Sequence, residues 1–219
     1  MRMVSRACRS GLGLVLAAAW AMPASAQQWE VGVMGGGGFY LNNAVQGAKK
    51  SGEVGFKPGY AAGGWLGHNS AGRLGGEIRY LFEKNDMRVN SGGNSFSFGG
   101  QTHTVHYDLL IYANSREDRV RPYFAVGGGL KQYVGRGVER AFQPLSDVAI
   151  LTRTNQFQPV ISAGAGVKWA VGSRMVLRVE FRDYITPFPK DVILPAPGSK
   201  LSGWVHNFAP LFGLSYIFF

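Results

Sequence analysis

The chain has 219 residues, a formal net charge of +10, 32 glycines, 13% aromatic residues and one cysteine. That length suits a single domain. The lone cysteine excludes an internal disulfide and a Cys-ligated metal cluster, and the basic balance points to nucleic acid or an anionic membrane surface. Hydrophobic residues make up 46% of the chain, yet no 18-residue window after Ala21 is continuously apolar, so that stretch holds no transmembrane helix.

The first element is an export signal. Arg2, Arg6 and Arg9 form a positive n-region, Gly11–Ala21 a short apolar run, and Ala24-Ser25-Ala26 a small-residue cleavage site. The run is too short for the roughly 20 residues of a membrane-spanning helix. Residues 1–26 are therefore expected to be a signal peptide cut after Ala26, leaving residues 27–219 as one domain; the competing reading is an uncleaved anchor. Cleavage removes Cys8 and three arginines, lowering the net charge to +7. Export argues against nucleic acid and leaves the basic residues to an anionic outer leaflet or to solvated loops.

From Trp29 the dominant period is two, the mark of strands with two different faces. Eight strands are predicted: Trp29–Tyr40, Lys57–His68, Leu74–Val89, Gln101–Asn114, Arg121–Gly135, Phe157–Ala170, Arg174–Ile185 and Asn207–Phe219. Their connections alternate in length. Long segments, Leu41–Phe56, Asn90–Gly100, Arg136–Gln156 and Thr186–His206, follow the odd strands. Short turns, Asn69–Arg73, Ser115–Val120 and Val171–Ser173, follow the even ones and carry Gly, Asn and Ser. Long loops at one end and tight turns at the other are the pattern of an outer-membrane barrel. The predicted fold is all-β: an eight-stranded antiparallel up-and-down transmembrane β-barrel with both termini at the turn end. The last long loop contains Pro187, Pro189, Pro195 and Pro197, which is expected to keep it irregular and exposed.

Alternation assigns the faces. Met175, Leu177, Val179 and Phe181 alternate with Arg174, Arg178, Glu180 and Arg182, and Ile78, Tyr80 and Phe82 with Glu77, Arg79 and Glu83. Val105, Tyr107, Leu109 and Ile111 alternate with His106, Asp108 and Tyr112. A soluble lipocalin-like barrel would hold the apolar set inside; a membrane barrel turns it outward. The signal peptide, the loop asymmetry and the aromatic chain end favour the membrane form. So do glycines on the opposite face, among them Gly32, Gly36, Gly38, Gly127, Gly129, Gly164, Gly166 and Gly213, which suit a narrow crowded interior.

Three stretches carry a family resemblance. The chain end Phe212-Gly213-Leu214-Ser215-Tyr216-Ile217-Phe218-Phe219 resembles the last strand of outer-membrane barrels. In that family the alternation here formed by Phe212, Leu214, Tyr216 and Phe218 is the recognition signal for the barrel assembly machinery; Phe218 and Phe219 both qualify as the terminal aromatic. Arg121-Pro122-Tyr123-Phe124-Ala125-Val126-Gly127-Gly128-Gly129-Leu130 and Leu177-Arg178-Val179-Glu180-Phe181-Arg182-Asp183-Tyr184 resemble the transmembrane domain of the OmpA family. The resemblance covers essentially the whole chain after the signal and implies an integral protein of the bacterial outer membrane. Nothing in this sequence follows the last strand, so the tethering role of a peptidoglycan-binding domain is not carried over.

Parity places Glu30, Glu77, Asp108 and Glu180 in the lumen with Arg79, Lys131, Lys168, Arg178 and Arg182. Unpaired buried charges are costly, so these residues form either an ion-paired plug or a gated path through rearranged pairs; the plug is the preferred expectation. His68-Asn69-Ser70 with Glu77 matches the His-x-Ser element of outer-membrane lipid A deacylases, but it falls at a short turn, where a simple turn explains it. His103 and His106, three apart on a strand, face opposite ways and make no metal site. Gly35–Gly38 lacks the helix of a phosphate-binding loop. Trp29, Phe39, Tyr40, Trp65, Trp169, Trp204 and Tyr216 are candidates for interfacial girdles.

The expected function is non-enzymatic, structural or through surface interaction of the long loops. A narrow channel for small or apolar solutes and a lipid A-modifying hydrolase are the alternatives. Expected partners are outer-membrane lipids, including lipopolysaccharide, and the assembly machinery during biogenesis, with no nucleic acid and no cofactor.

Overall fold

Alternating apolar and polar side chains, broken by Gly, Asn and Ser turns, produce a structure built from strands. A computed structural model describes residues 28–46, 50–69, 72–139, 141–201 and 203–218. The predicted signal segment with Ala24 and Ala26 lies outside the described residues, as do Ser70, Ala71 and Phe219. The strands are β1 (Gln28–Tyr40), β2 (Asn43–Val45), β3 (Gly52–Phe56), β4 (Gly59–Asn69), β5 (Leu74–Lys84), β6 (Met87–Ser91) and β7 (Asn94–Phe98). They continue as β8 (Gly100–Tyr112), β9 (Val120–Gly135), β10 (Ala149–Leu151), β11 (Asn155–Ala170), β12 (Met175–Pro187), β13 (Ile193–Pro195) and β14 (Trp204–Phe218).

Eight of these close into a barrel in the cyclic order β1-β4-β5-β8-β9-β11-β12-β14. Each pairs antiparallel with its neighbours, and β14 returns to β1 with Trp29 opposite Phe218 and Tyr40 opposite Asn207. Closure leaves no strand edge, so backbone N–H and C=O groups are satisfied within the wall, as a lipid environment requires. The outward set is apolar: Ile78, Phe124, Val179 and Phe212 are 52%, 69%, 53% and 64% exposed. The inward set is charged: Arg79, Arg178 and Arg182 are among the largest fully buried side chains. A water-soluble barrel would have this arrangement reversed, because an apolar belt of this extent does not persist in water.

The long connections are ordered, the last of them against the expectation that it stay irregular and exposed. β2, β3, β6 and β7 form a four-stranded sheet, and β10 pairs with β13. Both sit at the long-loop end of the barrel as a cap. Its hydrophobic cluster includes Val54, Phe56, Met87, Val89, Leu151 and Ile193, each 3% exposed or less. Prolines do not prevent this order. Pro195 ends β13 opposite Ala149, and the Pro189 carbonyl accepts the N–H groups of Val192 and Ile193. The predicted third strand, Leu74–Val89, divides at Asn85. There the Asn85 amide donates to the Lys57 carbonyl at 3.0 Å, and β6 turns away to pair with β3. Gly92 and Gly93, at φ 55° and 81°, supply the two left-handed positions that a tight β6–β7 hairpin needs.

Candidate functional site

Inward parity on β1, β5, β8, β11 and β12 concentrates charge in the turn-end half of the barrel interior. Glu30 accepts from Lys168 at 2.6 Å, Ser215 at 2.8 Å, Arg178 at 3.0 Å, the Trp65 indole at 3.2 Å and the Asn69 amide at 3.3 Å. Glu77 accepts from Arg79 at 2.5 Å, Arg178 at 2.7 Å and Arg182 at 3.2 Å. Glu180 pairs closely with Arg79, and accepts from the Tyr123 hydroxyl at 2.7 Å and Arg182 at 3.2 Å. Asp108 takes His106 Nδ1 at 3.0 Å, and its second oxygen lies 2.9 Å from Arg182 as a charge contact without hydrogen-bond alignment. Four carboxylates thus meet Arg79, Lys168, Arg178 and Arg182, and their formal charges cancel.

Lys131 stands apart from this cluster. It donates to Glu83 at 2.7 Å, and Glu83 also accepts from Asn207, Thr102 and Tyr40. Between the two charged layers lie apolar and aromatic side chains, including Met34, Leu81, Tyr184 and Leu211. The side chains of Glu77, Arg79, Arg178, Glu180 and Arg182 are at most 1% exposed. Such a layer is rigid because each guanidinium fork is held by more than one oxygen.

Sequence reasoning left Glu83 and His106 out of the lumen set, although both share the inward parity of the charges beside them. It also counted Trp65 and Tyr40 among the candidates for interfacial girdles. Trp65 is instead 3% exposed and lies under the Arg178 guanidinium at 4.1 Å. Its ring occupies the space of two missing side chains: a Cβ at Gly32 would lie 2.3 Å from it, and one at Gly213 2.6 Å. Tyr40 packs on Phe56 and donates to Glu83. Trp29, Phe39, Trp169, Trp204 and Tyr216 do face outward, at 39–55% exposure. Phe212, Leu214 and Tyr216 of the chain-end pattern are exposed on the same outer face.

The remaining candidates separate. His68 bonds the Tyr107 hydroxyl at 3.0 Å on the outer side, whereas Glu77 is buried among arginines, so the two are not joined in a relay. Asn69 points inward and accepts from Tyr112 at 2.8 Å. His103 bonds Tyr80 at 2.8 Å outside, while His106 lies inside beside Tyr184.

In the cap, exposed Asp147 takes Lys50 at 2.7 Å, and this bond holds its carboxyl below the usual range. Burial pushes the Asp86 carboxyl up, but the Lys84 ammonium at 2.6 Å and the Gly100 N–H outweigh it and leave it lowered.

A closed barrel of eight strands, apolar without and ion-paired within, defines an integral β-barrel membrane protein. The chain belongs to the outer membrane protein beta-barrel domain family, whose model matches residues 12–218. Its place is accordingly the bacterial outer membrane. Among solved structures it is similar to Neisserial surface protein A, at 13% identity and a TM-score of 0.52, over 87% of this chain and 97% of that one. It is also similar to the outer membrane protein OprG from Pseudomonas aeruginosa, at 10% identity and a TM-score of 0.55, over 86% and 95%. At these identities the likeness is one of fold alone. No curated protein sequence matches the chain.

Proposed function

We propose that this protein works without catalysis, as an envelope protein that displays a folded cap to the cell exterior on top of a closed barrel. The observation that carries the reading is the buried hydrophobic cluster of the cap. Four loops sharing one core form a preorganised surface, and preorganisation lowers the ordering cost of binding a partner. The fully buried charge layer beneath supports the plug over the conducting path, since a water-filled route would leave some of those groups accessible. The opposite placement of His68 and Glu77 counts against lipid A hydrolysis.

The reading includes an orientation: export with cleavage after Ala26, both termini in the periplasm, and the cap outside. Arg136, Arg153 and Lys190, exposed at the cap end, would meet the phosphates of lipopolysaccharide. Phe212, Leu214, Tyr216 and Phe218, with Phe219, would be read by the assembly machinery during insertion.

Two measurements test it together. Protease added to intact cells should cut within the cap and leave a barrel fragment; cleavage only after the outer membrane is opened would reverse the orientation. The refolded barrel in a planar bilayer should stay silent. Reproducible conductance steps altered by Arg178→Ala would replace the plug with a channel.

A further inference from the structure

At the turn end of the barrel, among the described residues, one buried cation is left without a carboxylate. Arg121, at the start of β9 and directly opposite Lys168 of β11, is only 8% exposed. Arg79, Lys131, Lys168, Arg178 and Arg182 each contact a carboxylate within 4.0 Å. Among the described residues Arg121 has no such contact. Its guanidinium lies 3.7 Å over the Tyr112 ring, and its Nε and one Nη have no hydrogen-bond partner. Stacking on an aromatic face leaves the N–H groups in the guanidinium plane, where an acceptor approaches edge-on.

Beside the residue lies space that an anion can enter. A cavity of about 60 Å³ is bounded by Arg121, Lys168, Glu30 and Asn69, with Arg116 and Arg119 towards its rim. It adjoins a recess of about 660 Å³ between the turns, lined by Arg116 and Arg119 and also by Glu117 and Asp118. Glu30 does not serve Arg121, because its oxygens are taken by Lys168, Arg178, Ser215, Trp65 and Asn69. Asp118 at the rim accepts the Ser115 N–H at 3.0 Å. Cations therefore outnumber carboxylates around the cavity. A buried cation with idle donors is costly, and an incoming anion relieves that cost.

We propose that this mouth is a binding site for a compact phosphate-type oxyanion, held by the Arg121 fork with Lys168 as a second charge. The cavity has about the room of two water molecules, enough for one phosphate group, and the recess would receive whatever the phosphate is attached to. The source is either a soluble phosphate or a phospholipid headgroup folded over the barrel rim.

Inorganic phosphate titrated by calorimetry into the barrel refolded in a maltoside detergent, which carries no phosphate of its own, with chloride keeping ionic strength constant, tests this. Saturable binding is expected. Arg121→Gln should weaken it by about tenfold, the worth of one charge-assisted hydrogen bond. Arg174→Gln, at an exposed arginine that bonds Tyr216, should change it less than about twofold. If Arg121→Gln does not refold, Arg121→Lys keeps the charge, loses the fork and should still weaken binding. Binding that persists in phosphatidylcholine nanodiscs identifies a soluble phosphate; binding seen in the detergent and abolished there identifies the headgroup as occupant. Absence of saturation in the detergent, or an Arg121 variant that binds as tightly as the parent, would falsify the site.

Discussion

The barrel and the cap bury opposite kinds of side chain within one chain. The barrel interior holds Glu30, Glu77, Arg79, Arg178, Glu180 and Arg182, while Val179 and Phe181, between them in sequence, face outward. The cap, built from the connections between the same strands, buries Phe56, Met87, Leu151 and Ile193 and exposes Lys50 and Asp147. The surrounding solvent accounts for the difference. Where the wall meets lipid, apolar groups gain nothing from being inside and polar groups must be. Where the chain emerges into water, hydrophobic burial again drives packing. Tyr133 of β9 lies at the changeover: its ring packs on Phe56 of the cap at 5.2 Å, and its hydroxyl bonds Thr186 of the wall at 2.7 Å.

The largest effect is expected from truncating one partner of the lumen network. Arg178→Ala strands Glu30 and Glu77 without their shared cation, and should cost about 3–5 kcal/mol. Urea unfolding of the refolded barrel checks this, and added salt should change the loss little because the pair is shielded from solvent. In the cap, Leu151→Ala should cost about 2–5 kcal/mol, felt locally. Limited proteolysis should then cut the cap faster while the unheated gel mobility of the barrel is unchanged. If both were lost together, cap and barrel would be one cooperative unit.

Val179→Arg, one residue from Arg178 but on the lipid face, should cost about 2–4 kcal/mol at mid-membrane depth. Folding yield into bilayers measures it; a neutral outcome would mean that Val179 does not meet lipid. The smallest effect concerns pH. Asp86 has a lowered pKa, so its contribution is present above about pH 4, the unfolded carboxylate range. That contribution is lost as pH falls further, through the folded pKa. Proteolysis of the cap should rise only in that acid window, by an amount corresponding to under about 1 kcal/mol for so exposed a pair, and Asp86→Asn should abolish the dependence.

Trp65 shows how far alternation reaches. On its own strand nothing separates it from an interfacial tryptophan. Pairing places it opposite Gly32 and Arg79, and that register brings it over the barrel axis. Glu83 is a different case, because its parity with Glu77 and Arg79 was already visible; its partner Lys131 comes from a strand 48 residues away. The cap was half legible. Val54 and Phe56, Met87 and Val89, and Phe96 and Phe98 alternate as strands do, but each run is too short to declare a strand without its neighbour.

The amino-acid sequence by itself determined the number of barrel strands, the alternation of long and short connections, and which face of each barrel strand is charged, because period-two patterning and turn chemistry are local. Only the tertiary structure decided which carboxylate meets which cation, that the loops share a core, and that Arg121 is left with idle donors. Those outcomes depend on register and closure, which bring together residues as distant as Glu30 and Ser215, and no local period encodes such a meeting.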